Sequence, residues 1–253
     1  MNERVPRLTT SPELQAMRRA GRLAARTLKR VGERLKPGIT TADIDAWVRE
    51  DTYAHGAKPS QLGYHGFPAS VCTSINEVVC HGVPRSDVVL KDGDIINVDI
   101  TSDLHGWHGD TSATFCIGNV RGEARRLVET TKRAMEAGIR EVKPGAKLGD
   151  IGAAIFELAK KEGYGVVTDF GGHGIGRQMH LPPHVSHVGR RGDGLTLREG
   201  MTFTIEPMLT IGSPEIRTLA DEWTIVTADG KWSAQFEHTI LVTRKGHEVL
   251  TVP

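Results

Sequence analysis

Asp99 and Asp110 stand in the run IINVDITSDLHGWHGDTSATFCI, and alternation puts both on one face of a β-hairpin. Asn97, Asp99 and Thr101 share that face, with Ile96, Val98 and Ile100 behind. On the returning run Asp110, Ser112 and Thr114 oppose Ala113, Phe115 and Ile117. A turn at 104–105 sets Asp99 directly opposite Asp110. Two like charges about 4 Å apart repel by about 4 kcal/mol at an effective dielectric near 20, and directly opposed like charges destabilise a sheet. A divalent cation between them removes that cost.

Three further segments carry matching donors. His173 lies in FGGHGIGRQMH, Glu206 closes MTFTIEP, and Glu237 sits in AQFEHTILV. Thr202, Thr204 and Glu206 share one strand face; Gln235, Glu237 and Thr239 share another. Taken singly, each acid reads as part of a solvated sheet face. Taken together, four carboxylates that converge must hold protons, spread apart or bind cations. Two divalent ions balance four carboxylates. Carboxylate ligands with one imidazole suit Mn, Fe, Co or Zn, and the lack of cysteine ligands argues against a structural zinc knot.

The elements that position these residues come as a duplication. LKPGITTADI from Leu35 matches VKPGAKLGDI from Val142, and LKDGDIINVD from Leu90 matches LREGMTFTIE from Leu197, both 107 residues on. The same offset carries Asp99 onto Glu206. Met17, Gly21, Ala24 and Leu28 map onto Ala124, Val128, Thr131 and Met135 at helical spacing. Each half reads as a long helix, a Lys-Pro-Gly stop, a second helix and antiparallel strands. The expected fold is α+β: one sheet with helices on its outer side and acids at matching points about a pseudo-twofold axis. A single catalytic domain over 1–253 is expected, with halves near 12–118 and 119–250 and a short N-terminal tail, 1–11.

Composition narrows the class. The 253 residues are 38% apolar and 25% charged, with 29 glycines and a net charge of +1, so no global field points to nucleic acid or a membrane. Basic residues nevertheless crowd the start, and Arg18, Arg22 and Arg26 share a helical face. That face reads either as solvated or as a contact with RNA or an acidic partner. Cys72, Cys80 and Cys116 form no CxxC and cannot all pair, as in a reducing compartment. With neither an apolar signal core nor a span-length run, a cytoplasmic monomer is expected.

The ordered set Asp99, Asp110, His173, Glu206 and Glu237 resembles the five metal ligands of the methionine aminopeptidases. FGGHGIGRQMHLPPHVSHV is similar to the type I signature around the ligand histidine, and SVCTSINEVVCHGVP to the segment carrying a substrate-side histidine. The resemblance runs from about Glu13 to the C-terminus and is closest to compact bacterial-type members. It implies the pita-bread fold, two divalent metals (Co, Mn, Fe or Zn), and removal of methionine from methionyl peptides and nascent chains whose second residue is small. By the same resemblance, Asp99 binds one metal, Asp110 and Glu237 bridge, and His173 and Glu206 complete the second, with Thr101 supporting the site. Glu206 is the general base, His81 approaches the scissile nitrogen and His180 the carbonyl oxygen. Tyr64, Phe67, Cys72, Met179 and Trp223, together with the two histidines, contact the substrate. The basic first helix suggests docking at the ribosome.

Two positions depart from the family pattern: Met179 stands where many members have phenylalanine, and Leu181 where an acid is common. The rivals are an Xaa-Pro aminopeptidase or prolidase-like enzyme, a non-catalytic pita-bread protein, and a Ser or Cys hydrolase. No GxSxG supports the last.

Overall fold

The computed structural model describes residues 5–253; Met1–Arg4 of the tail lie outside the described residues. Four helices, α1 (Ser11–Gly32), α2 (Thr41–Ala54), α3 (Gly122–Arg140) and α4 (Leu148–Glu162), pack as two pairs against one face of a central sheet. Each pair starts from local chemistry. Thr10 accepts the Glu13 N–H while the Glu13 carboxylate accepts the Thr10 N–H, and Thr40 and Asp43 do the same for α2. At α4 Asp150 accepts the N–H of Lys147 at 2.7 Å. These capping boxes satisfy N–H groups that a helix start leaves orphaned.

The 107-residue offset recurs in three dimensions. Asp43 and Asp150 cap equivalent helices, and the isolated bridges Thr40–Val89 and Lys147–Thr196 obey the same offset at both ends. Each half has its own core. Ile96, Val98 and Ile100 bury against Leu28, Val31, Ile44 and Val48; Phe203, Ile205 and Ile240 bury against Leu127, Met135, Ile151 and Ile155. The apolar strand faces therefore lie under the helices and the polar faces point the other way.

In the sheet the Ile95–Asp103 strand pairs with His108–Cys116, which pairs with Glu237–Val242, then Thr202–Ile205, then Gly172–Gly174. The seam between halves is brief: Glu237 faces Ser112 and His238 faces Thr111. Side chains extend it, with Thr111 Oγ1 donating to Glu237 O, Thr239 Oγ1 to Asp110 O, and Asn97 Nδ2 to Gln235 O, each at 2.8–2.9 Å.

The first hairpin differs from expectation. Asp99 faces Ser112, and Asp110 faces Thr101. The turn is the four-residue loop Leu104–Trp107, closed by Asp103 Oδ1 accepting the Gly106 N–H at 2.7 Å, with His105 and Gly106 at positive φ. That Asx closure lengthens the loop by two residues. A two-residue shift keeps every side chain on its face, so the two aspartates still share one, now as diagonal neighbours rather than opposed ones. Thr101 meets Asp110 as a hydrogen-bond donor instead.

Among the described residues no helix is long and apolar enough to cross a membrane.

Candidate metal centre

The polar faces of both halves meet in a cavity of about 340 Å³ whose wall contains Asp99, Asp110, His173, Glu206 and Glu237. They are not solvated acids: Asp110 is 4% exposed and Glu237 2%. One donor atom each from Asp110, His173 and Glu237 lie within 4.8 Å of one another. His173 Nε2 stands 3.6 Å from both Asp110 Oδ2 and Glu206 Oε1. Asp99 lines the same wall but falls outside that tight trio.

Neighbouring groups aim each donor. His173 sits between Gly172 and Gly174, where a Cβ would clash with the Thr204 and Pro182 carbonyls, so only glycine lets the strand lie this close. Its N–H donates to Thr204 Oγ1 at 2.9 Å, and Nδ1 contacts Gly174 O at 3.1 Å. Nδ1–H is the donor in that contact, which leaves the Nε2 lone pair facing the carboxylates. Thr101 Oγ1 donates to Asp110 Oδ1 at 2.8 Å and Thr204 Oγ1 to Glu206 Oε1 at 2.6 Å. Pro207 ends the 202–205 strand at Glu206, and the Glu206 N–H turns to His187 Nε2 at 3.2 Å.

Electrostatics show what the site lacks. Burial, then the Asp110 charge, pushes Asp99 well above the usual carboxylate range; Glu206 and Glu237 are raised likewise by burial first and by neighbouring acids. Asp110 rises to about 7 through burial, tempered by Thr101. Burial holds His173 down to about 3, and partial burial with the neighbouring histidines lowers His180 to about 4. Among the described residues no Lys or Arg lines the cavity. Four converging carboxylates, Asp110 and Glu237 buried and Asp99 and Glu206 partly so, and one imidazole with its lone pair turned inward therefore fit divalent cations as counter-charge.

The other residues named from the sequence surround the same cavity. His81, at positive φ after the Val78–Cys80 strand, meets Phe170 edge-on at 5.3 Å. His180 places its ring edge-to-face on His173 at 4.1 Å and its Nδ1 2.8 Å from the Tyr64 hydroxyl. Phe67 and Trp223 pack edge-to-face at 5.1 Å beside Cys72. Met179 is buried in the wall, whereas Leu181 begins the Leu181–Val185 strand and does not line the cavity.

Sequence reasoning missed Gln61, Asp169, Phe170 and His184 in the wall, and the contact of His187 with Glu206. Gln61 has the plainest task. Its Nε2 donates to Asp99 O at 2.9 Å and to Asp99 Oδ1 at 3.3 Å, and its Oε1 accepts the Thr101 N–H at 3.0 Å. No spacing in QLGYHG marks it; the signal lies only in the gap left along the Asp99 strand between its short partners Lys58–Pro59 and Cys72–Ile75.

The sequence profile of metallopeptidase family M24 matches residues 15–244, a span holding all five metal-ligand candidates. The chain belongs to metallopeptidase family M24. Within the family it is 52% identical to methionine aminopeptidase B of Synechocystis sp. over 97% of this chain and 91% of that protein. It superposes on the crystal structure of methionine aminopeptidase from Rickettsia prowazekii with a TM-score of 0.96 and 48% identity, covering 98% of this chain and all of that one. A prolidase from Pyrococcus furiosus gives a TM-score of 0.78 at 21% identity over 97% of this chain and 65% of its own, a likeness of fold alone. The M24 fold here is the α+β arrangement expected from the duplication, in the pita-bread form that the family resemblance implied.

Proposed function

We propose that the protein is a methionyl aminopeptidase, a metal-dependent hydrolase that removes the N-terminal methionine of proteins. The carrying observation is the convergence of four carboxylates and His173 in the wall of one pocket, in a chain about half identical to methionine aminopeptidases. Asp99, Asp110, His173, Glu206 and Glu237 would hold two divalent ions, with Asp110 and Glu237 at the seam between halves. When bound, such ions act as Lewis acids that polarise the scissile carbonyl and lower the pKa of water.

The chain's own groups supply the rest. Glu206, its Oε1 held by Thr204 and its Oε2 by Gln235, is placed to take a proton from the attacking water. His180 faces the carbonyl oxygen and donates to it as negative charge develops. His81, held neutral by burial, meets the leaving amide nitrogen. Tyr64, Phe67, Cys72, Met179 and Trp223 enclose the methionine side chain, and Met179 gives that wall a flexible thioether. The confined cavity favours a small second residue.

Release of free methionine from Met-Ala-Ser, with Ala-Pro-Ser and N-acetylated Met-Ala-Ser as controls, tests this reading. Cleavage of Met-Ala-Ser alone supports it. Preference for the proline peptide would transfer the chain to the prolidase-like reading, and cleavage of neither, at any metal, to the non-catalytic one.

Docking to ribosomal RNA through α1 belongs to the same reading. Of the expected basic face, Arg22 and Arg26 are exposed, whereas Arg18 is half-buried and bonded through both Nε and Nη2 to Glu248 at 2.7–2.8 Å. Arg19 and Lys29 complete the exposed stripe, and none of Arg19, Arg22, Arg26 or Lys29 has an ion-pair partner among the described residues. Ten helical steps from Arg19 to Lys29 set this stripe along about 15 Å, a line of cations suited to a phosphate backbone.

A further inference from the structure

Tyr64 does more than enclose a side chain. A pocket wall needs only the ring, yet its hydroxyl lies 2.8 Å from His180 Nδ1, with the two rings 5.1 Å apart and tilted by 48°. The loop that carries it is fixed on both sides. The Tyr64 N–H donates to Gln61 O at 3.0 Å and the Gly63 N–H to Phe67 O at 2.8 Å. Gln61 is tied to the Asp99 strand and Phe67 to Trp223. Gly63 at φ 82° and Gly66 at φ 91° allow the chain to double back so tightly that the Tyr64 ring projects over His180.

A hydrogen bond to Nδ1 decides which nitrogen of the imidazole carries the proton. Among the described residues no carboxylate lies within ion-pair distance of His180, so nothing there favours the doubly protonated ring. A phenol O–H is far more acidic than the N–H of a neutral imidazole, and the ring-nitrogen lone pair is a better acceptor than a phenol oxygen, so Tyr64 is the donor of the two partners. With O–H directed at Nδ1, the single ring proton must reside on Nε2. That nitrogen has no hydrogen-bond partner among the described residues, and the ring borders the cavity. In the opposite arrangement Nε2 would offer a lone pair where negative charge develops on the substrate.

We propose that Tyr64 is a positioning residue: its hydroxyl donates to His180 Nδ1, fixes the Nε2–H tautomer and holds that N–H toward the scissile carbonyl oxygen. The proposal rests on the role given to His180 under the proposed function. Two measurements on Tyr64→Phe, which keeps the ring and loses the hydroxyl, test it. Nitrogen-15 NMR of metal-stripped protein, with the His180 signals assigned by their loss in His180→Gln, is expected to show Nε2–H in the wild type and a mixture with Nδ1–H in the variant. Kinetics on Met-Ala-Ser are expected to show kcat down by roughly tenfold with KM within twofold, because the contact matters where charge develops. A wild-type Nδ1–H tautomer, or a tautomer and kcat both unmoved by the substitution, would overturn the proposal. Should the wild type release no methionine, the activity reading fails, while the tautomer measurement still decides what Tyr64 does.

Discussion

The two halves of the molecule share a plan and differ where the chemistry is. Asp99 lies within the unbroken Ile95–Asp103 strand, and its backbone belongs to a ladder with Cys72 and Ser112. Its equivalent, Glu206, sits at a gap between Thr202–Ile205 and Met208–Thr210, opened by Pro207, and its N–H is handed to His187. The first half closes its hairpin with Leu104–Trp107. The second instead inserts a hairpin, Ile216–Thr218 and Ile225–Thr227, whose loop brings Trp223 to the cavity and which pairs with the strand ahead of His81. The outer helices differ too. Where α1 presents Arg19, Arg22, Arg26 and Lys29, α3 presents Arg126, Glu129, Arg133 and Glu136 at the same offset, an ordinary mixed face with Arg133 paired to Glu162. Repetition holds the acids together; departures from it build the pocket, the setting of Glu206 that suits it to the proposed role of base, and the basic stripe.

The largest expected effect breaks the equivalence of the two acids. Glu206→Gln should lower kcat by about 10²–10⁴-fold because it removes proton transfer, whereas Asp99→Asn should chiefly raise the metal concentration needed for half-maximal activity. Metal titrations of both variants check this, and equal kcat losses would erase the distinction.

Metal removal probes the seam. Asp99, Asp110, Glu206 and Glu237 all have folded pKa values above their unfolded ones, so the metal-free fold holds protons that the unfolded chain releases. Stability of the metal-free protein is therefore greatest below about pH 4 in respect of these groups and declines as pH rises, through about 7 for Asp110. The gain in Tm on adding Mn should grow from pH 5 to pH 8, as calorimetry with and without the ion would show. A gain that shrinks over that window would contradict the buried-acid account.

On the outer face, reversing Arg19, Arg22, Arg26 and Lys29 to Glu should abolish ribosome co-sedimentation at low salt while leaving Met-Ala-Ser cleavage within twofold. Reversing Arg125, Arg126, Lys132 and Arg133, four exposed cations on α3, is the control of equal charge and should change neither. Loss in the control as well would reduce the stripe to net charge. The smallest effect is expected in the pocket: Met179→Phe exchanges flexible for rigid bulk and should shift KM by less than about fivefold.

Much of this was legible in the chain because the physics was periodic. Alternation fixed which side of each strand Asp99, Asp110 and Glu237 occupy, and a face survives a two-residue register error. The register itself was not legible, since it turned on one Asx contact between Asp103 and Gly106. Nor could alternation separate a solvated face from a buried one; only the convergence of four acids suggested it. AQFEHTILV reads as one strand, yet Phe236 interrupts it, and Gln235 and Glu237 reach the cavity from separate strands. Gln61 and His187 were invisible because they serve backbone groups whose need appears only once the sheet is assembled.

The most direct measurement is methionine release from Met-Ala-Ser by metal-stripped protein as Mn or Co is added back, with Asp110→Ala beside it. Release should be absent without metal, rise with added ion in the wild type, and stay at least about 10³-fold lower in the variant. Full release by the stripped protein, or by Asp110→Ala, would contradict a metal centre built at the seam of the two halves.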